Sequence, residues 1–498
     1  MPVSSVPVPE PVHRFSERSG LLIPTLLKMK QEGEFSAEQI AFLARSLGLP
    51  EARVSSVSNY YPAFRDTQEL TDWVSPPLKN AGIIPCAPYI FVGSERRVTA
   101  RCGIDSNAES CYAGLRSALS RSPDQVCSMI VESGLRGRGG AGFPTGLKWQ
   151  SAKNTPSDER FVICNAAEGD LGAFMDLAIL ESDPHSILEG MAIAAYVISA
   201  RKGYVYIREE YHGTPSVVTD AIVQARAKGV LGKRILGSDF DFDVEVFRAA
   251  GMYVCGEETA LINSMEGRTG RPRMRPPFPT QAGLWGKPTV VNNVKTLGQV
   301  AFILREGVAA FSSVGTEKSR GTAVLSFSGN VVEPVIVEVP MGVAIEEVLR
   351  EFVKVPGGKR IKALQTGGPL GGVIPAKLFG TPVSYEAMSA IGSPLGSGGM
   401  IVLDEDTDML ELARDFARFA AAESCGHCAP CRLGTAEIAR SLENRSRVEA
   451  VAGMLRTASF CAFGQSAANL TLSILRHFGP EALGDHDGSH GGSTSGSE

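Results

Sequence analysis

Residues 134–149 read GLRGRGGAGFPTGLKW, a segment with six glycines between positions 134 and 146. Glycine has no side chain, so backbone N–H groups in such a loop can approach a phosphate or a flat ring. Arg138 and Lys148 would add positive charge for a phosphate. The spacing differs from the Gly-x-Gly-x-x-Gly that follows a strand in the standard dinucleotide fold. Many glycine-rich loops are only turns, and the segment alone leaves both interpretations open.

Strand and helix patterns alternate after this loop. Strand-like runs at 161–164, 204–207 and 240–247 are separated by helical patterns near 184–200 and 215–227. Alternation of this kind predicts an α/β domain with helices covering a sheet. Further on, two β-rich runs within 324–339 flank Gly329-Asn330, a hairpin signal, and a helical pattern follows at 345–352, which predicts a small α+β domain. An apolar stripe within 408–421 predicts another helix.

The N-terminal region has a helical pattern from 19 to 63. Ser36 and Gln39 form a Ser-x-x-Gln capping box ahead of one apolar stripe, and Ser122 and Gln125 form a second box farther along the chain. Such a box satisfies two free backbone N–H groups at a helix start. The sequence therefore predicts a short helical unit near the N-terminus and a separate helix just before the glycine-rich loop.

Bulk properties restrict the class of protein. The chain has 498 residues and a formal net charge of −5, which fits several globular domains and gives no sign of nucleic-acid binding. Its first residues lack the basic and apolar regions of a secretory signal, and its longest apolar stretch, 191–200, is shorter than a membrane span of roughly 20 residues. A cytoplasmic protein without direct membrane insertion is expected.

The cysteines point to a metal centre. Of the ten in the chain, Cys425, Cys428 and Cys431 follow one another at three-residue steps, and Cys461 lies thirty residues later. Four thiolates at this spacing are typical of a 4Fe-4S cluster. Zinc also accepts four thiolates, but its sites usually use two Cys-x-x-Cys pairs. Iron–sulfur is therefore favoured over zinc, and His427 is expected at the surface or behind the ligands.

Two further segments could carry ligands. Residues 164–170, CNAAEGD, follow a predicted strand, where polar side chains often line a crevice. Residues 256–260, GEETA, precede four arginines at 268, 271, 273 and 275. Arginine could hold phosphates there and glutamate could hold sugar hydroxyls, but a polar turn and a solvated charged loop are equally simple interpretations.

Taken in this order, the segments resemble the flavin-carrying, NADH-oxidising subunit of respiratory complex I and the diaphorase subunits of soluble hydrogenases and NAD-dependent formate dehydrogenases. The resemblance covers about 97–482. It rests on GLRGRGGAGFPTGLKW, CGEETALINSMEG, RPPFP, GKPTVVNNVKT and ESCGHCAPCRLGT. EGDLGAFMD, QTGGPLGGVIPA and GSGGMIVLDED are more similar to the soluble diaphorases. Residues 19–63 resemble the helical start of the thioredoxin-like partner subunit, whose 2Fe-2S cysteines have no clear counterpart in this chain.

The resemblance implies cofactors and residues that hold them. FMN would be bound by Gly137, Arg138, Gly139, Lys148, Asn165, Tyr253, Glu257, Asn292, Asn293 and Thr296. NAD(H) would lie over the flavin near Phe143, Glu168, Asp170, Glu258, Arg275 and Phe278. Hydride would pass directly between the two cofactors, so no side chain is expected as a catalytic nucleophile or acid. Single electrons would leave through a 4Fe-4S cluster on the four cysteines.

The resemblance also implies a domain order. An α/β flavin and NADH domain at 97–318 would be followed by a β-grasp-like α+β domain at 319–400 and a helical 4Fe-4S domain at 401–482. Ahead of them would lie a helical unit at 19–66 and a linker at 67–96. The termini, 1–18 and 483–498, are expected to be disordered.

Three positions depart from the family pattern: Ala167 replaces an aspartate beside the flavin, Asp170 replaces a glutamate, and Ser151 replaces an aromatic residue. Ala167 motivates an alternative function, an electron-relay subunit that keeps the cluster but has lost flavin turnover. The arginines could accommodate NADP and the carboxylates oppose it, so NAD is favoured. Expected partners are a small thioredoxin-like 2Fe-2S subunit and a further iron–sulfur or catalytic redox subunit.

Overall fold

The computed structural model describes residues 20–32, 35–61, 63, 89–103, 111–211 and 213–483. The disorder expected at 1–18 and over most of 483–498, and the greater part of the expected linker 67–96, lie outside these residues. Among the residues described, no helix combines the length and apolar character needed to cross a membrane.

Three helices form the N-terminal unit: α1 Leu22–Glu32, α2 Ala37–Leu47 and α3 Glu51–Tyr60. The expected capping box is confirmed, because the Ser36 hydroxyl accepts from the Gln39 N–H and the Gln39 side chain accepts from the Ser36 N–H. Gly48 ends α2 in the left-handed region, at φ 64°, where a side chain would be strained.

A four-stranded parallel sheet forms the centre of the following domain. Its strands are β2 Phe161–Ala166, β3 Lys202–Arg208, β4 Asp243–Ala249 and β5 Thr289–Asn293, in the order β4-β3-β2-β5. The expected α/β alternation is confirmed, with the third strand beginning three residues later than predicted. The connecting and flanking helices are α4 Ala113–Leu119, α5 Pro123–Ser133, α6 Thr145–Asn154, α7 Met175–Ser182, α8 Pro184–Ile198, α9 Thr214–Ala227, α10 Glu258–Met265, α11 Pro279–Ala282, α12 Val294–Glu306 and α13 Val308–Ser312.

Both faces of this sheet are buried. Val162, Cys164 and Val205 point to one face and pack with α8 and α12 in the largest apolar cluster. The alternate residues, such as Ile163 and Tyr206, point to the other face and pack against α1 to α3. The N-terminal unit therefore serves as the second helical layer that a parallel sheet requires.

A six-stranded mixed sheet follows, in the order β1-β7-β6-β10-β8-β9. Its strands are β1 Phe91–Val92, β6 Thr322–Gly329, β7 Val335–Pro340, β8 Ile361–Thr366, β9 Gly372–Pro375 and β10 Gly399–Asp404, with helices α14 Ile345–Phe352 and α15 Tyr385–Ala390. The predicted hairpin is confirmed, since β6 and β7 pair antiparallel. Strand β10 crosses the expected boundary at 400 and β1 comes from the expected linker, because completing this sheet requires both.

The C-terminal part is helical. Its elements are α16 Met409–Ala422, α17 Ala429–Arg440, α18 Arg445–Ala458, α19 Ala462–Ser466 and α20 Asn469–Leu483. The apolar face of α16, with Leu412 and Phe416, packs with α17, α18 and α20 and against β8, β9 and β10. The three cysteines at 425–431 lie in the turn between α16 and α17 and in the first turn of α17, so this packing determines where they are held.

Candidate functional site

The strand order locates a crevice at the edge of the parallel sheet. Strands β2 and β5 are neighbours in the sheet but not in the chain. The chain runs from β2 outward to β3 and β4 on one side, and then returns to form β5 on the other side of β2. Ligands of open α/β sheets bind at such a switch point, outside the carboxyl ends of the strands. Asn165 on β2 lies opposite Asn293 on β5, and Asn292 is the preceding residue. Three side chains expected to contact flavin thus lie at this point.

The glycine-rich loop folds back on itself above these strand ends. The Gly137 N–H donates to the Phe143 carbonyl at 2.8 Å, and the Arg138 N–H donates to the Thr296 hydroxyl at 2.8 Å. A methyl group added at Gly139 would lie 3.0 Å from Cβ of Asn293, closer than most real contacts. The loop is therefore a tight cradle built from backbone, which fits the binding of a flat ring or a phosphate and so fits FMN.

The Arg138 guanidinium does not point into this cradle. It is buried and donates to the Arg320 carbonyl at 2.5 Å and to the Met341 sulfur at 2.8 Å, while its buried Nε has no hydrogen-bond partner. The terminal guanidinium nitrogens and the backbone N–H of Arg138 are therefore all engaged by protein groups in this structure. The positive charge that the sequence suggested for a phosphate contacts a carbonyl and a sulfur instead.

Helix α15 of the six-stranded sheet braces the loop from outside. The Tyr385 hydroxyl donates to the Gly137 carbonyl at 2.9 Å, and the Arg136 guanidinium lies 4.3 Å from the centre of the Tyr385 ring. Arg136 also forms an ion pair with Glu386 at 2.5 Å. Sequence reasoning missed Tyr385, because a residue 248 positions from Gly137 gives no local signal of this contact.

Four charged side chains line the crevice in two pairs. Lys148 forms an ion pair with Glu258 and donates to the Val291 carbonyl at 3.0 Å. Glu257 accepts from the N–H groups of Thr259 and Ala260 at the start of α10, and its other oxygen pairs with Arg275. Each carboxylate thus has a cation beside it. The rings of Phe143 and Phe278 are about half exposed, at 52% and 50%, and are open to a flat ligand.

Tyr253 connects the crevice with the cysteine domain. Its hydroxyl donates to one Asp170 oxygen at 2.7 Å, and Ser397 donates to the other at 2.5 Å. The Tyr253 ring lies 5.8 Å from that of Phe419 and 5.6 Å from that of Phe463. Asp170, expected near the nicotinamide, is therefore held by two hydroxyls, and Tyr253 lies between the two candidate cofactor sites.

The positions that depart from the family pattern have local partners. The Ser151 hydroxyl forms a 2.8 Å hydrogen bond with that of Thr280, and Ala167 packs against the apolar cluster beneath the N-terminal helices. Asn165 donates to the Gly256 carbonyl and accepts from the Ala167 N–H, at 3.0 and 3.1 Å. The Asn165 amide is therefore fixed although Ala167 lacks a carboxylate.

A buried charged network lies beneath the cradle. The Lys295 ammonium donates to Asp176 at 2.6 Å, and Asn293 donates to the other Asp176 oxygen. Both charged side chains are 3% exposed. The Glu168 carboxylate is also buried and accepts from the N–H groups of Asp176 and Leu177. Glu168, which the resemblance places near the nicotinamide, caps the start of α7 in the structure. The sequence did not single out Asp176 or Lys295.

This burial predicts how stability depends on pH. Desolvation, reinforced by the negative charge of Asp176, raises the pKa of Glu168 from 4.5 to about 8. Between these two pH values the folded chain keeps a proton on Glu168 that the unfolded chain releases. The contribution of Glu168 to the free energy of unfolding is therefore complete below about pH 4.5 and is lost as the pH rises to about 8. We expect the thermal midpoint to fall across this range, and to fall less steeply in Glu168→Gln. The exposed Glu346→Gln is the control, and equal slopes in all three proteins would contradict the assignment.

The four cysteines of the C-terminal part lie close together. Cys428 directly precedes α17, Cys431 is in its first turn, and Cys461 directly precedes α19. Cys428, Cys431 and Cys461 pack around Phe463. Burial, with the charges of Cys428, Cys461 and Cys425 also contributing, raises the pKa of Cys431 to about 11. The Cys431 thiol therefore stays protonated until a metal displaces the proton.

Four neighbouring thiols are the ligand set that a 4Fe-4S cluster takes, with one iron at each corner of the cubane. Among the described residues, no three His, Cys, Asp or Glu side chains are positioned to hold one metal ion together. The His427 ring packs edge-on against Phe460, with 5.5 Å between ring centres.

Comparisons with known proteins establish the family. Residues 130–302 match the Nuo51 FMN-binding domain, and residues 411–484 match the NADH-ubiquinone oxidoreductase-F iron-sulfur binding region. The chain belongs to the family of NADH-quinone oxidoreductase F subunits and their hydrogenase relatives, and is a flavin- and iron–sulfur-dependent oxidoreductase subunit acting in NAD(P)H electron transfer. The resemblance and the FMN and iron–sulfur cofactors expected from the sequence are confirmed.

Individual relatives cover most of the chain. It is 43% identical to the NADP-reducing hydrogenase subunit HndC of Solidesulfovibrio fructosivorans, over 78% of this chain and 82% of that one. It is 41% identical to the NADH-quinone oxidoreductase F 2 subunit of Rhizobium meliloti (strain 1021), over 74% and 91%. A solved chain of an NAD+-reducing [NiFe]-hydrogenase in the H2-reduced state aligns with a TM-score of 0.82 and 28% identity, over 95% and 94%.

Proposed function

We propose that this chain transfers hydride between NAD(H) and FMN in the crevice beside β2 and β5, and passes single electrons through a 4Fe-4S cluster to partner subunits. The observation that carries the proposal is the position of Tyr253. Its hydroxyl donates a hydrogen bond to Asp170 in the crevice, and its ring packs against Phe463 among the cysteines. When bound, FMN supplies the exchange between two-electron and one-electron steps, and the cluster supplies one-electron transfer.

The protein groups orient the cofactors. The cradle of Gly137 and Gly139 would take the flavin, with Asn165, Asn292, Asn293 and Thr296 at the strand ends beneath it. The exposed rings of Phe143 and Phe278 would enclose the nicotinamide cofactor from its open side. Each of these groups positions a ligand or excludes water, so the rate would come from alignment of the two rings.

The domain layout follows from this assignment. We assign the parallel-sheet domain to flavin and nicotinamide binding, the six-stranded sheet to the β-grasp-like unit and the helices from α16 onward to the cluster. The proposed cluster ligands are Cys425, Cys428, Cys431 and Cys461. A cytoplasmic location is proposed with them, since reduced thiols persist in that compartment.

The partners are proposed from the relatives and from the N-terminal unit. A relative named as a hydrogenase subunit and a matching chain of a hydrogenase structure support assembly with a further redox subunit. Helices α1 to α3 resemble the start of a thioredoxin-like 2Fe-2S subunit without its cysteines. We therefore propose that a separate small subunit of that kind docks near these helices.

An anaerobic titration with NADH tests the hydride site, with FMN and iron quantified beforehand. We expect stoichiometric FMN whose absorbance is bleached by NADH, and a weaker response to NADPH. Gly139→Val should lose FMN while keeping iron, because its side chain would collide with Asn293. Gly380→Val, at a position with open space around it, is the matched control. Iron without flavin in the unaltered chain would favour the relay function suggested by Ala167.

A further inference from the structure

The glycine-rich loop at 134–146 is held by a residue from the six-stranded sheet domain. Helix α15 begins at this residue, Tyr385. Its hydroxyl donates to the Gly137 carbonyl at 2.9 Å, and its ring packs on Gly142, where an added methyl group would lie 3.2 Å from the ring. Gly142 also has a φ of 62°, which strains any residue with a side chain. One tyrosine thus contacts the outgoing arm of the loop, at Gly137, and its returning arm, at Gly142.

Arg136 strengthens the same contact from the side of the loop. Its Nε donates to the Gly142 carbonyl at 2.7 Å, and its guanidinium carbon lies 4.3 Å from the centre of the Tyr385 ring, a cation–π contact. The Glu386 carboxylate pairs with Arg136 at 2.5 Å and accepts from the Ser319 hydroxyl at 2.7 Å. Residues of the loop and residues of the six-stranded sheet domain therefore hold each other in place.

The hydroxyl of Tyr385 fixes one peptide group of the cradle. The carbonyl of Gly137 and the N–H of Arg138 belong to the same planar peptide unit and point in opposite directions. Tyr385 donates to that carbonyl, and the N–H donates to the Thr296 hydroxyl at 2.8 Å. Both ends of the unit are therefore held, one by α15 and the other by α12. The backbone that follows, at Gly139, takes its direction from this fixed unit.

We propose that Tyr385 and Arg136 form a latch that holds the glycine cradle in its FMN-binding shape before the cofactor binds. Both are positioning residues, because their side chains act on carbonyl groups of the loop. Glycine has more backbone freedom to lose than any other residue, and a loop that is already ordered loses less conformational entropy on binding. The inference rests on the flavin site of the proposed function, and it gives the six-stranded sheet domain a part in flavin binding.

The test is the dissociation constant of FMN for the purified full chain after removal of its flavin, measured from the fluorescence of FMN as it binds. Tyr385→Phe keeps the ring and loses only the hydroxyl, so the dissociation constant should rise about fivefold. Tyr196→Phe is the matched control, because the Tyr196 hydroxyl also donates to a backbone carbonyl, that of Arg121 at 2.7 Å. The control should leave the dissociation constant unchanged.

Two substitutions test the part that Arg136 plays in the latch. Arg136→Gln should raise the dissociation constant about tenfold, because it loses both the ion pair with Glu386 and the contact with the Tyr385 ring. Arg136→Lys should recover part of this loss, since an ammonium can still pair with Glu386 and lie over the ring. Equal losses in the two variants would overturn the role of Arg136.

The outcomes separate the latch from the flavin site itself. An unchanged dissociation constant in Tyr385→Phe would overturn the latch, and a lower thermal midpoint of that variant would then assign the hydroxyl a purely structural role. An equal rise in Tyr196→Phe would overturn the latch as well, because the effect would not be specific to the loop. Absence of FMN binding by the unaltered chain would overturn the flavin site of the proposed function.

Discussion

Cys461→Ser is expected to remove most of the iron and sulfide from the chain while FMN remains bound. Cys461 directly precedes α19 and packs with Cys428 and Cys431 around Phe463, whereas the glycine cradle belongs to another domain. NADH should still bleach the flavin, but electron delivery to the partner subunits should fall by more than about 100-fold, beyond the loss typical of residues behind the ligands. Iron analysis, the NADH titration and a reconstituted assay with the partners would measure the three quantities.

Cys102→Ser is the matched control for this variant. Cys102 is a free cysteine of similar, intermediate exposure that lies outside the cysteine group. It should keep iron, flavin and electron delivery. Full iron in Cys461→Ser would mean that another group completes the ligand set, and would remove Cys461 from it.

Lys295→Met is expected to destabilise the folded chain strongly. The Lys295 ammonium pairs with Asp176 at 2.6 Å, and both side chains are almost fully buried. Removing one partner of a buried pair leaves an uncompensated charge and costs about 3–5 kcal/mol. Glu168 places a second carboxyl group in the same buried space. In the variant no ammonium offsets the two carboxyl groups, so the proton that Glu168 retains contributes more to stability than in the unaltered chain. The thermal midpoint of unfolding should therefore fall. The flavin content should fall as well, because Asn293, a proposed flavin contact, donates a hydrogen bond to Asp176.

Two further variants separate charge from packing. Combining Lys295→Met with Asp176→Asn also removes the unpaired negative charge of Asp176. The double variant should therefore recover part of the decrease in thermal midpoint that Lys295→Met causes. Lys377→Met changes an exposed lysine and should stay within about 0.5 kcal/mol of the unaltered chain. If the double variant were no more stable than Lys295→Met, the loss would come from packing and the buried pair would not be its cause.

The sequence is informative where the signal is local. The Ser36 capping box, the 329–330 hairpin and the spacing of the cysteines each depend on residues a few positions apart, and the structure has the capping box and the hairpin where the patterns place them. The switch point requires the strand order, which no local pattern reveals. The role of the 19–63 helices as the second layer of the sheet is likewise hidden, because their apolar stripes do not say which surface they cover.

The site shows the same division between local and long-range information. A glycine-rich loop is visible in a single sequence, but the hydroxyl of Tyr385 that holds its backbone comes from a separate sheet. The motif around Glu168 is recognisable, yet the burial of its carboxylate depends on the start of α7 and on Lys295, which is distant in the chain. The sequence presents the arginines as one basic segment, and only their packing separates Arg271, against Tyr60, from Arg268.

The N-terminal helices also bear on how the protein behaves outside its complex. One continuous apolar surface of the parallel sheet lies beneath them, formed by Phe161, Ile163, Tyr204, Tyr206 and Phe247. A shortened chain beginning after residue 61 would present this surface to water, and exposed patches of that kind promote aggregation. Covalent attachment of the helices keeps the cover at a high effective concentration at every stage of assembly. The apolar surface of the sheet therefore stays covered before the chain assembles with its partner subunits.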